Sequence, residues 1–179
     1  MYMVITGAEA EKKAVIATAE KMCAAARTAP KAKGLDYIHT AVLTDDDIKR
    51  LADKMKEQSE ETGLGFLMRD AGNVLSSDAV VLIGTTYQQR GLGEFCSLCN
   101  FKGCEKSSAA GAVCVFDPMD LGIALGSAVA VAADCRIDNR IMFSAGKAAV
   151  ALGLMPDGVD CVMAVPLSAH GKSVYFDRK

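Results

Sequence analysis

The stretch from Leu121 to Ala133 is apolar on every side of a helical wheel and is bounded by Asp120 and Asp134. A helix without a polar face has to be covered all round, so it belongs at the centre of a fold or between two copies of the chain. It falls short of the roughly 20 residues that a membrane-spanning helix needs, so a buried helix is expected and a membrane anchor is not. Asp117-Pro118 offers an N-cap followed by proline at the first helical position. Gly122, Ala124, Gly126, Ser127, Ala128 and Ala130 are small enough for a neighbouring backbone to approach closely, and a homodimer packed across a two-fold is the expected assembly.

Other elements follow from periodicity. Glu9 to Ala26 is alanine-rich with Val15, Ala19, Met22 and Ala26 at helical spacing, and Pro30 limits it. Asp36 to Leu43 is β-favouring and short, which predicts a strand. Thr44 and Asp47 resemble a capping box ahead of Ile48, Leu51, Ala52 and Met55, an amphipathic helix reaching Gly63. A shorter helix over Phe66 to Asn73 precedes Ala79 to Gly84, a β-branched run that suits a strand buried on both faces. A helix from about Asn139 to Gly153, a turn at Met155-Pro156-Asp157-Gly158 and a buried strand over Cys161 to Leu167 close the order. Few strands and many helices imply an α+β fold, a small central sheet flanked by helices.

With 179 residues, 51% of them hydrophobic, the chain has material for one compact domain over residues 1–179. A net charge of −2 with lysines scattered among acids leaves no basic stripe for nucleic acid. Met1 to Gly7 has no basic start and no cleavage site, so a non-secreted, cytoplasmic protein is expected. Seven cysteines without an export signal fit metal, redox or core roles better than a disulfide framework.

Four of those cysteines cluster. Cys96, Cys99, Cys104 and Cys114 spell C-x2-C-x4-C-x9-C inside a loop at 87–117, inserted before the apolar helix. Thiolates select zinc or iron-sulfur clusters, and a C-x2-C start turns two sulfurs toward one centre. Leu98, Phe101, Val113, Val115 and Phe116 would wrap such a site in apolar side chains, which suits a cluster better than zinc. Cys135 is a substitute for Cys114 as fourth ligand, whereas Cys23 and Cys161 read as core residues.

Among charged groups, Arg27, Lys31 and Lys33 follow the first helix, where they complement its negative end and could also hold a phosphate. Asp138, Asn139 and Arg140 read as a cap for the next helix. His39 and His170 belong to no triad or metal spacing, and Gly91 and Gly93 to no nucleotide-binding pattern.

The run Ala25 to Gly34, the cysteine loop, Asp120 to Ser127, Asp138 to Met142, and Pro166 to Ser168 with Gly171-Lys172 and Phe176 to Lys179 together resemble the uncharacterised ferredoxin-domain proteins of bacteria and archaea. That resemblance implies a four-iron four-sulfur motif and, more distantly, a nitroreductase-like fold, which is usually an intertwined homodimer with FMN between subunits. It makes Arg27, Lys31, Lys33 and Lys172 candidate cofactor contacts. The arginine-rich start that grips the FMN phosphate in nitroreductases is missing, and Gly34-Leu-Asp36 stands where an asparagine for the flavin is expected. Two functions follow as expectations: a redox protein, with a flavin-linked oxidoreductase as its enzymatic form, acting on an unidentified partner or small molecule; or a non-enzymatic domain whose loop is stapled by zinc or a cluster.

Overall fold

A computed structural model of the chain describes residues 4–175. Its element order is α1 (Gly7–Thr28), β1 (Ile38–Leu43), α2 (Asp45–Thr62), α3 (Gly65–Leu75), β2 (Ala79–Thr85), α4 (Cys104–Ala109), α5 (Phe116–Asp134), β3 (Asp138–Asn139), α6 (Phe143–Ala151) and β4 (Cys161–Ser168). Met1 to Met3 and Phe176 to Lys179, used above in reading the N-terminus and the family pattern, lie outside the described residues.

The sheet runs β1-β2-β4-β3 with antiparallel neighbours throughout. In the middle of β2, Leu82 sits opposite Ala41 of β1 and Ala164 of β4. Every residue of β2 is buried, because alternate side chains enter two separate cores. Val80 and Leu82 meet α2, α3 and α6 through Leu51, Met55, Val74 and Ala145. Val81 and Ile83 meet α1 and α5 through Val15, Met22, Leu121 and Ala128. The α+β expectation therefore resolves into helices on both faces of a small antiparallel sheet.

Several expected boundaries moved. The capping box lies at Thr6 and Glu9, where the Glu9 backbone N–H donates to the Thr6 hydroxyl at 3.3 Å and the Thr6 N–H donates to the Glu9 carboxylate at 2.9 Å. Thr44 precedes α2 as expected but makes no side-chain cap, and Asp45 instead takes Lys12 of α1 at 2.8 Å. Asp117 is not the N-cap of α5. Val115 holds that position, which places Asp117 and Pro118 inside the first turn, where backbone N–H groups have no helical partner to lose. Asp138, Asn139 and Arg140 do not cap α6 either. Asp138 and Asn139 pair with Ser168 and Leu167 of β4, and Met142 exchanges two backbone hydrogen bonds with Ala164, so α6 starts only at Phe143. Cross-strand pairing outcompeted the local capping signal there.

α6 lies directly on β4. A Cβ at Gly146 would overlap the Val162 carbonyl. Gly146→Ala is expected to destabilise the protein by about 1–3 kcal/mol or more, despite alanine's better helix propensity, as a lower midpoint in urea.

Tyr175 closes the same side of the sheet, buried with its hydroxyl 3.0 Å from Ser77 Oγ. Burial pushes its phenol up to about 12. The unfolded chain loses this proton near pH 10 while the folded chain keeps it, so stability is expected to fall as pH rises from about 10 to about 12. Tyr175→Phe should flatten that part of the pH profile in a denaturant series.

Candidate metal centre

The segment between β2 and α5 carries the cysteines. Its backbone enters the left-handed region at Gly91, Gly93, Ser97, Asn100 and Gly103. Leu92 and Cys96 are in the right-handed helical region and are followed by left-handed Gly93 and Ser97. Each such pair turns consecutive backbone N–H groups into one concavity, a geometry that suits anions and sulfur ligands. Gly103, at φ 93°, turns the chain into α4, whose first residue is Cys104.

Cys96, Cys99, Cys104 and Cys114 all line one small cavity. Leu98, Phe101, Val115 and Phe116 form its apolar walls, and Gln89 and Arg90 add polar groups. Cys114 is buried and the other three are half-buried; all are free thiols. The Phe101 backbone N–H and the Ser107 hydroxyl hold the Cys99 thiol below its usual range. Ser107 is itself fully buried in α4, so this support is fixed in place. Among the described residues, no three Cys, His, Asp or Glu side chains are grouped as a single metal ion would need. Cys135, at the end of α5, does not line this cavity and packs against the α1–α5 core together with Cys23 and Cys161.

Beneath the cavity is a charged group that motif reading missed. Arg90 is only 2% exposed. Its guanidinium donates to Asp117 and to Asp120, each at 2.7 Å, and to the Gln88 carbonyl at 2.8 Å, and it stacks 4.8 Å from the centre of the Tyr37 ring. Asp120 also accepts the Ala32 N–H at 3.1 Å, and Asp117 accepts the Gln88 N–H at 3.0 Å. Burial pushes the Asp117 carboxyl up in spite of these donors. This network ties the end of α1, the start of the cysteine segment and the first turn of α5 together. Two acids three residues apart at the entrance of an apolar helix were the available signal, since acids on a buried face require a cation.

The cationic cluster after α1 is engaged with the protein itself. Lys31, whose side chain is 5% exposed, donates to the Arg27 and Ala29 carbonyls at 2.6 and 2.8 Å, which neutralises the negative helix end. Arg27 donates to the Ile38 carbonyl at 2.7 Å and pairs with Asp36 at 3.0 Å. Lys33 donates to the Arg90 carbonyl at 3.0 Å. Lys172 lies beyond β4, apart from these three in sequence.

α5 is long and apolar enough to cross a membrane by length and composition. In the fold, Leu121, Ala124, Leu125, Ala128 and Ala132 are buried, mostly against α1 and the sheet. Met119, Gly122, Ile123, Gly126 and Ala130 remain exposed on its other side.

Residues 110–178 match the family described as "Uncharacterized protein containing a ferredoxin domain (DUF2148)". This span holds Cys114, α5, α6 and β4 and begins after Cys104. An uncharacterized protein of Archaeoglobus fulgidus is 44% identical over 165 residues, covering 88% of each chain. Among solved structures, a BluB-like flavoprotein from Clostridium difficile superposes with a TM-score of 0.58 at 15% identity, over 96% of this chain and 84% of that one. A protein assigned as a nitroreductase, in complex with FMN, from Desulfovibrio desulfuricans gives 0.57 at 13% identity, over 100% and 83%. Identities this low carry the architecture alone, while the Archaeoglobus relative carries kinship along nearly the whole chain. The chain is thus a member of the uncharacterised ferredoxin-domain family, built on the nitroreductase fold.

Proposed function

We propose that this protein is an iron-sulfur redox protein whose cluster, of the four-iron four-sulfur type, is held by Cys96, Cys99, Cys104 and Cys114. The observation that carries this reading is the placement of all four thiols on one small, mostly apolar cavity. The donor set fits: soft thiols, backbone N–H groups gathered at Leu92-Gly93 and Cys96-Ser97, and a Cys99 thiol already held low by two donors. The apolar walls at Leu98, Phe101, Val115 and Phe116 favour a cluster over zinc, because they shield it from water. When bound, the cluster supplies one-electron transfer. The chain's own part is to hold the thiols, keep water back with Phe101, Val115 and Phe116, and leave an edge accessible at Phe95 and Leu98, which are 95% and 55% exposed.

Flavin chemistry is suggested by the fold neighbours but not by the cations proposed to contact it. Arg27, Lys31 and Lys33 each hold backbone carbonyls of this chain. We further propose a cytoplasmic homodimer paired through Met119, Gly122, Ile123 and Gly126 on the exposed side of α5, with no role for nucleic acid or membrane. Light scattering on a sizing column should give a dimer for the wild type and a monomer for Ile123→Glu.

Anaerobic purification with iron, zinc and acid-labile sulfide analysis tests the cluster. Iron and sulfide in equal amounts with broad absorption into the visible are expected. A colourless protein with one zinc per chain would falsify the reading and leave a structural zinc staple in its place.

A further inference from the structure

We propose that Arg90 is a positioning residue for the redox centre: its Nε–H donates a hydrogen bond to a sulfur of the cluster and raises the reduction potential. This inference rests on the cluster reading above. Arg90 lines the same cavity as the four cysteines. Its two terminal nitrogens are occupied by Asp117, Gln88 and Asp120, which fix the plane of the guanidinium. Its Nε is fully buried and has no partner among the described residues. A buried N–H left without an acceptor is destabilising, so a protein that pins the group this firmly has a use for the donor.

The other side-chain donors on the cavity wall are committed. Gln89 Nε2 donates to the Ala112 carbonyl at 3.3 Å and reaches Ser107 Oγ at 3.5 Å, and the Ser97 hydroxyl donates to the Glu94 carbonyl at 2.9 Å. Sulfur is the acceptor the cavity offers in quantity. Reduction places negative charge on the cluster sulfurs, so an N–H aimed at one of them stabilises the reduced form more than the oxidised form. Asp117 and Asp120 offset the cation, which leaves a directional hydrogen bond as the main contribution of Arg90.

The test compares anaerobically purified wild type and Arg90→Lys at equal iron and sulfide content, in a redox titration followed by electron paramagnetic resonance. Lysine keeps a cation beside the two aspartates and loses the Nε–H. At the wild-type midpoint potential, the ratio of reduced to oxidised cluster in Arg90→Lys is expected to fall about tenfold, or 59 mV for one electron. A ratio within about twofold of wild type, with only the thermal midpoint lowered, overturns the inference and assigns Arg90 a purely structural role. If Arg90→Lys does not assemble a cluster, the wild type decides. Protein grown on ¹⁵N-arginine should show ¹⁵N hyperfine coupling to the paramagnetic cluster, since Arg90 is the arginine on the cavity wall; absence of coupling overturns the inference. A wild type lacking iron and sulfide overturns the cluster reading itself, and this inference with it, whereas the first two failures leave the cluster standing.

Discussion

Cys99→Ser and Cys114→Ser proteins, purified without oxygen, are expected to lose most of their iron, about tenfold or more relative to wild type, while Cys135→Ser keeps a full complement. The reason is placement. Cys99 and Cys114 both face the cavity shared with Cys96 and Cys104, whereas Cys135 packs into the core between α1 and α5. Serine keeps the size of the side chain but replaces a soft donor with a hard hydroxyl, which a thiophilic centre binds poorly. Cys99 should be the more sensitive of the two, because Phe101 and Ser107 already favour its thiolate. Iron loss in Cys135→Ser with retention in Cys114→Ser would move the fourth ligand to the end of α5 and force the cysteine segment to rearrange.

The second large effect concerns stability. Arg90→Met leaves Asp117 and Asp120 facing each other's charge inside the fold, with Asp117 already penalised by burial. Removing one partner of a buried ion network costs about 3–5 kcal/mol, seen as a lower denaturant midpoint. The triple change Arg90→Met, Asp117→Leu, Asp120→Leu removes all three charges and should recover at least about 1–2 kcal/mol of that loss. Full recovery is not expected, since the two carboxylates also accept the backbone N–H groups of Gln88 and Ala32. A single variant as stable as wild type would mean that water reaches the network and solvates the acids.

Both predictions draw on features of unequal visibility in the chain. The helices α1, α2 and α3 and the strands β1, β2 and β4 announce themselves through period and composition, because each buries a face whose spacing is set by its own geometry. The start of α6 does not. Asp138 and Asn139 carry a capping composition, yet their backbone hydrogen bonds go to β4, a strand more than 20 residues away in the chain, and a local signal cannot report that competition. The first turn of α5 failed for a related reason: Asp117 has the chemistry of a cap, but a buried arginine from another segment claimed its carboxylate.

Residue types and their spacing determined the cysteine array, the apolar helix that follows it and the small sheet with its helical layers, since thiol chemistry and hydrophobic periodicity are properties of short stretches. Tertiary structure alone decided that Cys114 and not Cys135 lines the cavity with Cys96, Cys99 and Cys104, that Arg27, Lys31 and Lys33 turn back on their own backbone, and that Arg90 is buried at the same cavity with one donor unpaired. Those outcomes depend on which distant groups the packed sheet and helices bring within hydrogen-bond range, and the free energy of burying a charge is set by neighbours that no local pattern encodes.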